Sequence, residues 1–436
     1  MPRLASFLSF SSVARIMSDA TDKNGDVTES NTRSSELLRH VSVVLSVIAS
    51  SLGDVRFLHT SDWHVGRTFH GADLLAEQAA VLDHLADLVA AEAVDVVLVS
   101  GDVYDRAVPS AEAVQVANRA LARLREAGAQ LVLTSGNHDS APRLGAFGDF
   151  AAAGGLHLRT TIARIADPVL LRDEHGPVAV YGIPYLEPEP ARHALGVPEA
   201  KGHNGVLTEA MRRIREDLRG RERGTRSVVL AHAFVTGGQG TDSERTIAVG
   251  GVEQVSGDVF AGVDYVALGH LHGPQTLAEH LRYSGSPLAY SFSEAQQRKS
   301  VWLVDFDANG LAEVRRHELP VPRRLATLRG GIEWLLTAEE HADLADCYLS
   351  VTLTDSVRPI DAMRRLRERF PYAVHLEWQP ENGKATATLR YAEAVRGRSD
   401  AEITRNFLDD CRGAPPSERE ERLLRKALEV AGRGES

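Results

Sequence analysis

The chain has 436 residues, of which 43% are apolar and 25% charged, and its 60 acidic against 49 basic side chains give a formal net charge of −11. A disordered chain would hold fewer apolar residues, and a protein that coats nucleic acid would usually be basic. The composition therefore indicates a globular protein of two or three domains and argues against a general polyanion binder. It leaves open a local site at which bound metal ions reverse the charge.

The two cysteines, Cys347 and Cys411, are too few and too far apart for a disulfide framework or a thiolate zinc site. We therefore expect a reducing compartment and a cytoplasmic protein without a membrane segment. The uncharged run at residues 41–53 is shorter than the ~20 residues that span a bilayer, and its position does not fit a secretion signal. Residues 1–54 are predicted to be an unstructured leader or the product of a start site placed too far upstream.

From Val55 onward, short β-branched runs alternate with amphipathic stretches. Strands are predicted near 55–60, 94–100 and 130–135, with helices at 74–93 and 110–127 between them. This order predicts an α/β fold in which helices cover a largely parallel sheet.

Further along the chain, apolar strands at 228–234 and 263–272 run into histidines. After Arg282, two shorter strand-like segments, 282–292 and 300–306, are expected to add antiparallel pieces, and a break follows near 321–324. Beyond the break, helices at about 332–342 and 358–369 alternate with strands in a compact α+β module. The resulting prediction is a leader at 1–54, a main domain at 55–320, an α+β module at 325–395 and C-terminal helices at 400–431.

Polar side chains follow five of the predicted strands, and the carboxyl ends of parallel strands meet at one edge of a sheet. Within Asp62-x-His64 and His270-x-His272, alternate residues of an extended chain would face the same cavity. Carboxylate, amide and imidazole groups without a thiolate favour manganese, iron or zinc over calcium. The candidate site residues are Asp62, His64, Asp102, Asn137, His138, His232, His270 and His272.

If Asp102 bridges, seven of these eight residues provide four ligands to each of two divalent ions about 3.5–4 Å apart. Two aspartates would leave such a pocket with a net charge of about +2, which suits a phosphodiester, and the ions would lower the pKa of water toward neutrality for in-line attack on phosphorus. His138 would remain free to contact the phosphate and protonate the leaving alkoxide. Asp139 is predicted to hold the His138 imidazole by a hydrogen bond.

Ordinary structural roles compete with these assignments. A single Asp after a strand is most often a turn former or a helix cap, and a single histidine is usually a solvated or satisfied side chain. The basic string at 212–226 holds seven arginines against three acids, so it either follows a phosphate backbone or forms the salt-bridged face of a helix. We assign ordinary roles to the remaining histidines of interest, which are His84, His157, His193, His203, His280 and His341.

In order, these strand-end motifs resemble the five motifs of the calcineurin-like metallophosphoesterase superfamily. The longer strings FLHTSDWHVGR (57–67), GDVYD (101–105), GNHDS (136–140) and YSGSPLAYSF (283–292) look like those of the SbcD family, the nuclease subunits of bacterial SbcCD complexes. The resemblance implies two packed mixed sheets flanked by helices, with a smaller α+β capping domain. It also implies one ion held by Asp62, His64, Asp102 and His272, a second held by Asp102, Asn137, His232 and His270, and His138 as the catalytic residue. Some relatives carry histidine at the position of Asp105, so Asp105 is given no role.

The resemblance further implies manganese-dependent 3′–5′ exonuclease action on double-stranded DNA and endonuclease action on single strands and hairpins. This activity would serve DNA repair, recombination and replication together with the ATPase SbcC, whose coiled coil the C-terminal helices would bind. The chain would pair as a homodimer within a heterotetramer that includes SbcC. Two alternatives remain: a phosphomonoesterase or cyclic-nucleotide phosphodiesterase of the same superfamily, and a non-catalytic scaffold for SbcC.

Overall fold

The computed structural model describes residues 53–244, 254–380, 398–412 and 415–432. The predicted leader lies outside the described residues except for its last two positions, and so does the end of the predicted α+β module, 381–395. Among the described residues, none of the helices combines the length and the apolar character that a membrane span requires.

The first sheet has six strands, which are β1 (Arg56–Thr60), β4 (Val96–Ser100), β5 (Gln130–Thr134), β6 (Leu156–Arg159), β13 (Ser300–Asp307) and β14 (Gly310–Glu318). Their spatial order is β14-β13-β1-β4-β5-β6. The strands from β1 to β6 in this order run parallel, whereas β13 pairs antiparallel with both β1 and β14. The hairpin partner β14 was not predicted.

The second sheet also has six strands, which are β7 (Val169–Asp173), β8 (Gly176–Ile183), β9 (Arg226–His232), β10 (Tyr265–Gly269), β11 (Gln275–Ala278) and β12 (Leu281–Tyr283). They lie in the order β11-β12-β10-β9-β8-β7. The four central strands are parallel, and β7 and β11 close the two edges in antiparallel orientation.

Alternation of side chains along the strands explains how the layers pack. On β4, Val97 and Val99 face a cluster shared with the covering helices, whereas Val96 and Leu98 face the second sheet. The result is a four-layer arrangement of helices, sheet, sheet and helices, which confirms the predicted fold class. The helices are α1 (Leu75–Ala91), α2 (Ala111–Glu126), α3 (Ala141–Leu144), α4 (Gly148–Ala153), α5 (Pro188–Ala194) and α6 (Gly202–Arg219).

The predicted helices at 74–93 and 110–127 agree with α1 and α2 to within two residues at each end. The start of α2 is set by Ser110, whose side chain accepts a hydrogen bond from the Ala113 N–H. A small hairpin of β2 (Thr68–Phe69) and β3 (Ala72–Asp73) precedes α1.

The C-terminal module contains a three-stranded parallel sheet with an apolar core of its own, which includes Leu349, Val351 and Leu366. Its strands are β15 (Leu325–Gly330), β16 (Tyr348–Leu353) and β17 (Ala373–Trp378), and its helices are α7 (Ile332–Thr337) and α8 (Ala362–Arg369). The strand order is β15-β16-β17. Beyond the module lie α9 (Asp400–Arg412) and α10 (Glu418–Gly432). The domain boundaries themselves stay a prediction.

Three local predictions were wrong. The predicted helix at 332–342 ends at Thr337 and a 3₁₀ helix (Glu339–Leu344) follows, because the backbone at Ala338 is extended. The helix predicted from 358 begins at Ala362, because Pro359 disfavours a helical backbone at the residue before it and a turn at 360–361 follows. The strand-like segment after Arg282 ends at Tyr283, and a loop with a 3₁₀ helix (Phe292–Glu294) replaces it. Other 3₁₀ turns are Ile162–Arg164 and Gly257–Phe260.

The two sheets approach each other closely where β4 and β10 end. A Cβ atom at Gly269 would lie 1.9 Å from the Ser100 carbonyl oxygen, which is a backbone atom. A side chain of any size at position 269 would therefore push the two sheets apart.

We expect Gly269→Ala to lower the free energy of unfolding by about 1–3 kcal/mol, because the added methyl group overpacks this contact. Urea denaturation measures the loss. Gly148→Ala is the matched control, since its Cβ would have no neighbour nearer than 3.8 Å. Equal stability of the two variants would contradict the expectation.

Candidate metal centre

The eight predicted site residues lie together at the edge where the two sheets meet. They follow β1, β4, β5 and β10, or, in the case of His232, end β9. Except for the half-buried Asn137, all of them are buried. Ligand atoms gather within 4.8 Å of one another in three buried groups, which are Asp62, His64 and His272; His64, Asp102 and His138; and Asp62, Asp102 and His232.

The backbone turns sharply at several of these residues. Asp62, His64, Asp102 and His270 have φ angles of 53°, 44°, 52° and 106°. The expectation that the two His-containing pairs lie on extended chain was therefore wrong, because each strand ends in a left-handed turn. Such conformations cost of order 1–3 kcal/mol each in a residue other than glycine and concentrate at functional sites.

Backbone hydrogen bonds hold the turned segments against each other. The Asp62 N–H donates to the Gly101 carbonyl at 3.1 Å, and the His64 N–H donates to the Asp102 carbonyl at 2.9 Å. The Asp62 carboxylate accepts the His270 N–H at 3.0 Å. Loops from both sheets are thereby joined at the site.

Groups that carry lone pairs face one another around His232. Its Nδ1 lies 2.9 Å from the Ser100 carbonyl, which only accepts, so Nδ1 carries a hydrogen. In the neutral ring the Nε2 lone pair then points at Asn137 Oδ1, 2.9 Å away, with Asp102 Oδ2 at 3.4 Å. His270 Nδ1 lies 3.3 Å from the same Asn137 oxygen. Three or four acceptors directed at one small volume require a positive charge between them.

A second convergence involves His64 and His272, whose Nε2 atoms are 3.1 Å apart. His64 Nε2 also lies 3.6 Å from Asp102 Oδ2. The Asp102 carboxylate thus borders both convergent groups, as a bridging ligand would.

The electrostatics of the cluster agree with this geometry. Burial lowers the pKa of His232, but the neighbouring Asp102 carboxylate raises it further, to about 9. Burial lowers the pKa values of His64 and His270 well below the usual range, and it raises the pKa of Asp62 to about 6. Without another cation, a proton on His232 compensates Asp102. The donor set and its charge therefore fit a divalent metal ion.

His138 and Asp139 lie beside the cluster but contact different partners from those predicted. Both oxygens of the Asp139 carboxylate accept backbone N–H groups, from Gly136 at 3.0 Å, Val103 at 3.1 Å and Tyr104 at 2.9 Å. The Nδ1 atom of His138 instead lies 2.8 Å from the Asp105 carbonyl oxygen. The prediction that Asp139 holds the imidazole was wrong because its oxygens tie the loops after β4 and β5 together.

Sequence reasoning missed several residues that surround the cluster. Asp105 lies in the GDVYD string without an assigned role, yet its Oδ1 is 3.6 Å from His64 Nδ1 and 3.9 Å from His138 Nδ1. Ser243 and Glu294 are remote from His272 in sequence. Ser243 Oγ nevertheless lies 2.5 Å from His272 Nδ1, and Glu294 Oε1 lies 3.7 Å from it. No local pattern marks these two residues, although Glu294 closely follows the 283–292 string.

Arginines of the basic string are mostly paired with acids or with backbone carbonyls. Arg212 contacts Glu209 and Glu216, and Arg221 contacts Asp217 at 2.5 Å. These contacts are those of a salt-bridged helix face, so they favour that alternative over a path for the phosphate backbone.

None of the six histidines given ordinary roles joins a group of three metal-ligand atoms among the residues that were described. His157, for example, contacts Gln130 Oε1 at 3.1 Å.

Two protein-family models match the chain. The calcineurin-like phosphoesterase model covers residues 55–274, which is half of the sequence. The chain belongs to the calcineurin-like phosphoesterase family. The second model, SbcD_C, described as the type 5 capsule protein repressor C-terminal domain, covers residues 321–412. Together the matches confirm an SbcD-type metallophosphoesterase subunit, a phosphoesterase hydrolase of a family that uses divalent metals.

Two solved structures are also similar to the chain. TT1561 of Thermus thermophilus has 14% sequence identity and a TM-score of 0.36, with 61% of this chain and 99% of that chain covered. GAP50, the anchor in the inner membrane complex of Plasmodium, has 11% identity and a TM-score of 0.32, with 76% and 99% covered. At these scores neither likeness carries weight for the fold or the function.

We expect Asp139→Asn to lower the free energy of unfolding by about 1–3 kcal/mol. The NH₂ group of asparagine would replace a carboxylate oxygen that now accepts a backbone N–H, so a hydrogen bond would be lost and two donors would face each other. Chemical denaturation measures the change. Asp149→Asn is the control, since this exposed carboxylate makes a surface ion pair with Arg164 and should contribute at most about 1 kcal/mol. A loss no larger than that of the control would show that the three backbone contacts are dispensable.

Proposed function

We propose that this chain is a metal-dependent DNA nuclease subunit that works with the ATPase SbcC in DNA repair, recombination and replication. It would act as a 3′–5′ exonuclease on double strands and as an endonuclease on single strands and hairpins, in the cytoplasm. The observation that carries the proposal is the convergence of lone pairs on two neighbouring points that share Asp102, in a chain with an SbcD_C match.

We assign one ion to Asp62, His64, Asp102 and His272 and the other to Asp102, Asn137, His232 and His270, and we propose manganese as the metal. The distances around His232 and between His64 and His272 support this division. When bound, the two ions would supply positive charge for a phosphodiester and acidify water for attack on phosphorus.

His138 is proposed as the catalytic residue. Its backbone N–H donates to Asp102 Oδ1 at 2.8 Å, which fixes the residue beside the bridging carboxylate. The Asp105 carbonyl accepts from Nδ1 at 2.8 Å, and the Asp105 carboxylate oxygen lies 3.9 Å from the same nitrogen, so these contacts orient the imidazole beside the proposed metal ligands. In this position His138 can contact phosphate oxygens and give a proton to the leaving alkoxide. Asp139 then acts on the loops and not on the imidazole.

We assign the two proposed protein partners to exposed apolar surfaces at the periphery of the chain. Helices α9 and α10 contact each other, with Arg405 and Glu421 paired at 3.0 Å, and leave Phe407 and Leu423 exposed. We propose that this surface binds SbcC. Phe147 and Phe150, each 84% exposed, form a second apolar surface that supports a homodimer.

We expect the purified chain with Mn²⁺ to cleave hairpin and linear duplex DNA, faster when SbcC and ATP are present, and to lose this activity when the metal is chelated. Gel-based cleavage assays on labelled substrates test this. Comparable assays with phosphomonoesters and cyclic nucleotides address the rival activity. Efficient turnover of those small esters with no cleavage of DNA would refute the nuclease, and no turnover of any ester would favour the scaffold.

We expect His138→Gln to reduce DNA cleavage by at least about 10²-fold, because general acid catalysis typically contributes 10²–10⁴-fold. Manganese content should stay near the wild-type value, since His138 is not counted as a ligand. His157→Gln is the control, a histidine with a single hydrogen bond to Gln130. Full nuclease activity of His138→Gln, measured beside metal analysis, would remove His138 from the mechanism.

A further inference from the structure

The backbone of His272 is held on both sides. Its N–H donates to Glu244 Oε1 at 2.8 Å. Its carbonyl oxygen accepts from Lys299 Nζ at 2.8 Å and from the Ser286 N–H at 3.1 Å. The position of the residue is thus set by side chains and loops that are not themselves proposed ligands.

The imidazole of His272 is held at one nitrogen. Nδ1 lies 2.5 Å from Ser243 Oγ, while Nε2 faces His64 Nε2 at 3.1 Å. Ser243 Oγ also contacts Glu294 Oε1, and Glu294 Oε2 lies 2.5 Å from Lys299 Nζ. A continuous chain of contacts therefore runs from Lys299 through Glu294 and Ser243 to the ring.

The direction of each hydrogen bond in this chain can be worked out. Glu294 is paired with Lys299, so it is ionised and can only accept. The single proton of the Ser243 hydroxyl must then go to Glu294. Ser243 Oγ can then only accept in its remaining contacts, with His272 Nδ1 and with Thr241 Oγ1, so His272 Nδ1 is the donor and carries the ring hydrogen. The lone pair of the neutral ring is consequently on Nε2, the nitrogen that faces the proposed metal centre.

The ion pair in this chain is costly to bury. Lys299 is 3% exposed and Glu294 0% exposed. Replacing a buried ion pair by apolar side chains of similar volume is often neutral or stabilising, so stability alone does not explain its presence. The ion pair lies behind a histidine that must keep one tautomer in order to bind a metal ion, and fixing that tautomer is a role that explains the ion pair.

The Ser243 segment is anchored from the other side as well. Its carbonyl oxygen accepts from Arg67 Nη2 at 2.7 Å. The Thr241 hydroxyl and N–H both donate to Glu244 Oε2, which leaves Oε1 to accept from His272. The serine hydroxyl therefore reaches His272 from a segment that these hydrogen bonds anchor.

We propose that Ser243, Glu294 and Lys299 are positioning residues that hold His272 in the Nδ1–H tautomer and orient its Nε2 toward a metal ion. This inference rests on the proposed function, because it presumes that the cluster binds divalent cations. It adds a specific requirement: the affinity of one of the two ions depends on a serine hydroxyl that touches neither metal nor substrate.

The test is a titration of the metal-free full-length protein with Mn²⁺, in which electron paramagnetic resonance reports the free ion. We expect Ser243→Ala to bind one of two Mn²⁺ ions about 10- to 100-fold more weakly, which is the usual effect of losing such a partner. Ser243→Thr, which keeps a hydroxyl, should bind like the wild type. Ser227→Ala is the matched control, because Ser227 Oγ also donates to a carboxylate, Asp264 Oδ2 at 2.8 Å, away from the cluster.

The outcomes separate this inference from the function on which it rests. Two ions bound by Ser243→Ala as tightly as by the wild type would overturn the positioning role and leave the nuclease proposal intact. The same result follows if Ser243→Thr binds as weakly as Ser243→Ala, or if Ser227→Ala weakens binding equally. A wild-type protein that binds no Mn²⁺ would overturn both proposals, whereas normal binding without DNA cleavage would overturn only the nuclease.

Discussion

The candidate metal centre depends on acceptor groups that lie close together in a largely buried site and repel one another. Around Asp102, the imidazole, amide and carboxylate lone pairs of loops from two sheets are directed at common points. Such an arrangement is unfavourable unless positive charge is present, and in the metal-free chain a proton on His232 compensates the aspartate. The fold tolerates this because the sheets behind the site are fully packed, with buried side chains on both faces of strands such as β4.

Much of this arrangement could be predicted from the sequence. Strands such as Val96–Ser100 are continuous apolar runs that end at a polar cluster, and α2 begins at a serine cap. Local patterns of this kind were sufficient to predict the order of strands and helices. The gathering of polar residues followed from the rule that parallel strands end at the same edge. The hairpin strand β14 was missed because its partly exposed residues are mostly polar and lack an apolar run.

Other features of the site were outside the reach of local patterns. The left-handed backbone at Asp62 and His64 depends on hydrogen bonds to Gly101 and Asp102, about 40 positions away, and nothing in the Asp-x-His spacing indicates it. The predicted hydrogen bond from Asp139 to the His138 imidazole rested on their adjacency in sequence, whereas the turn after β5 directs the Asp139 carboxylate to backbone N–H groups. Ser243 meets His272 and Glu294 solely through tertiary packing.

The close approach of Gly269 to the Ser100 carbonyl has a mechanical consequence. With no room for even a methyl group between them, the central strands of the two sheets cannot slide past one another without separating. The candidate metal centre at the ends of these strands is therefore built on a base that resists shear, so a change in its geometry would have to come from the loops and not from the strands.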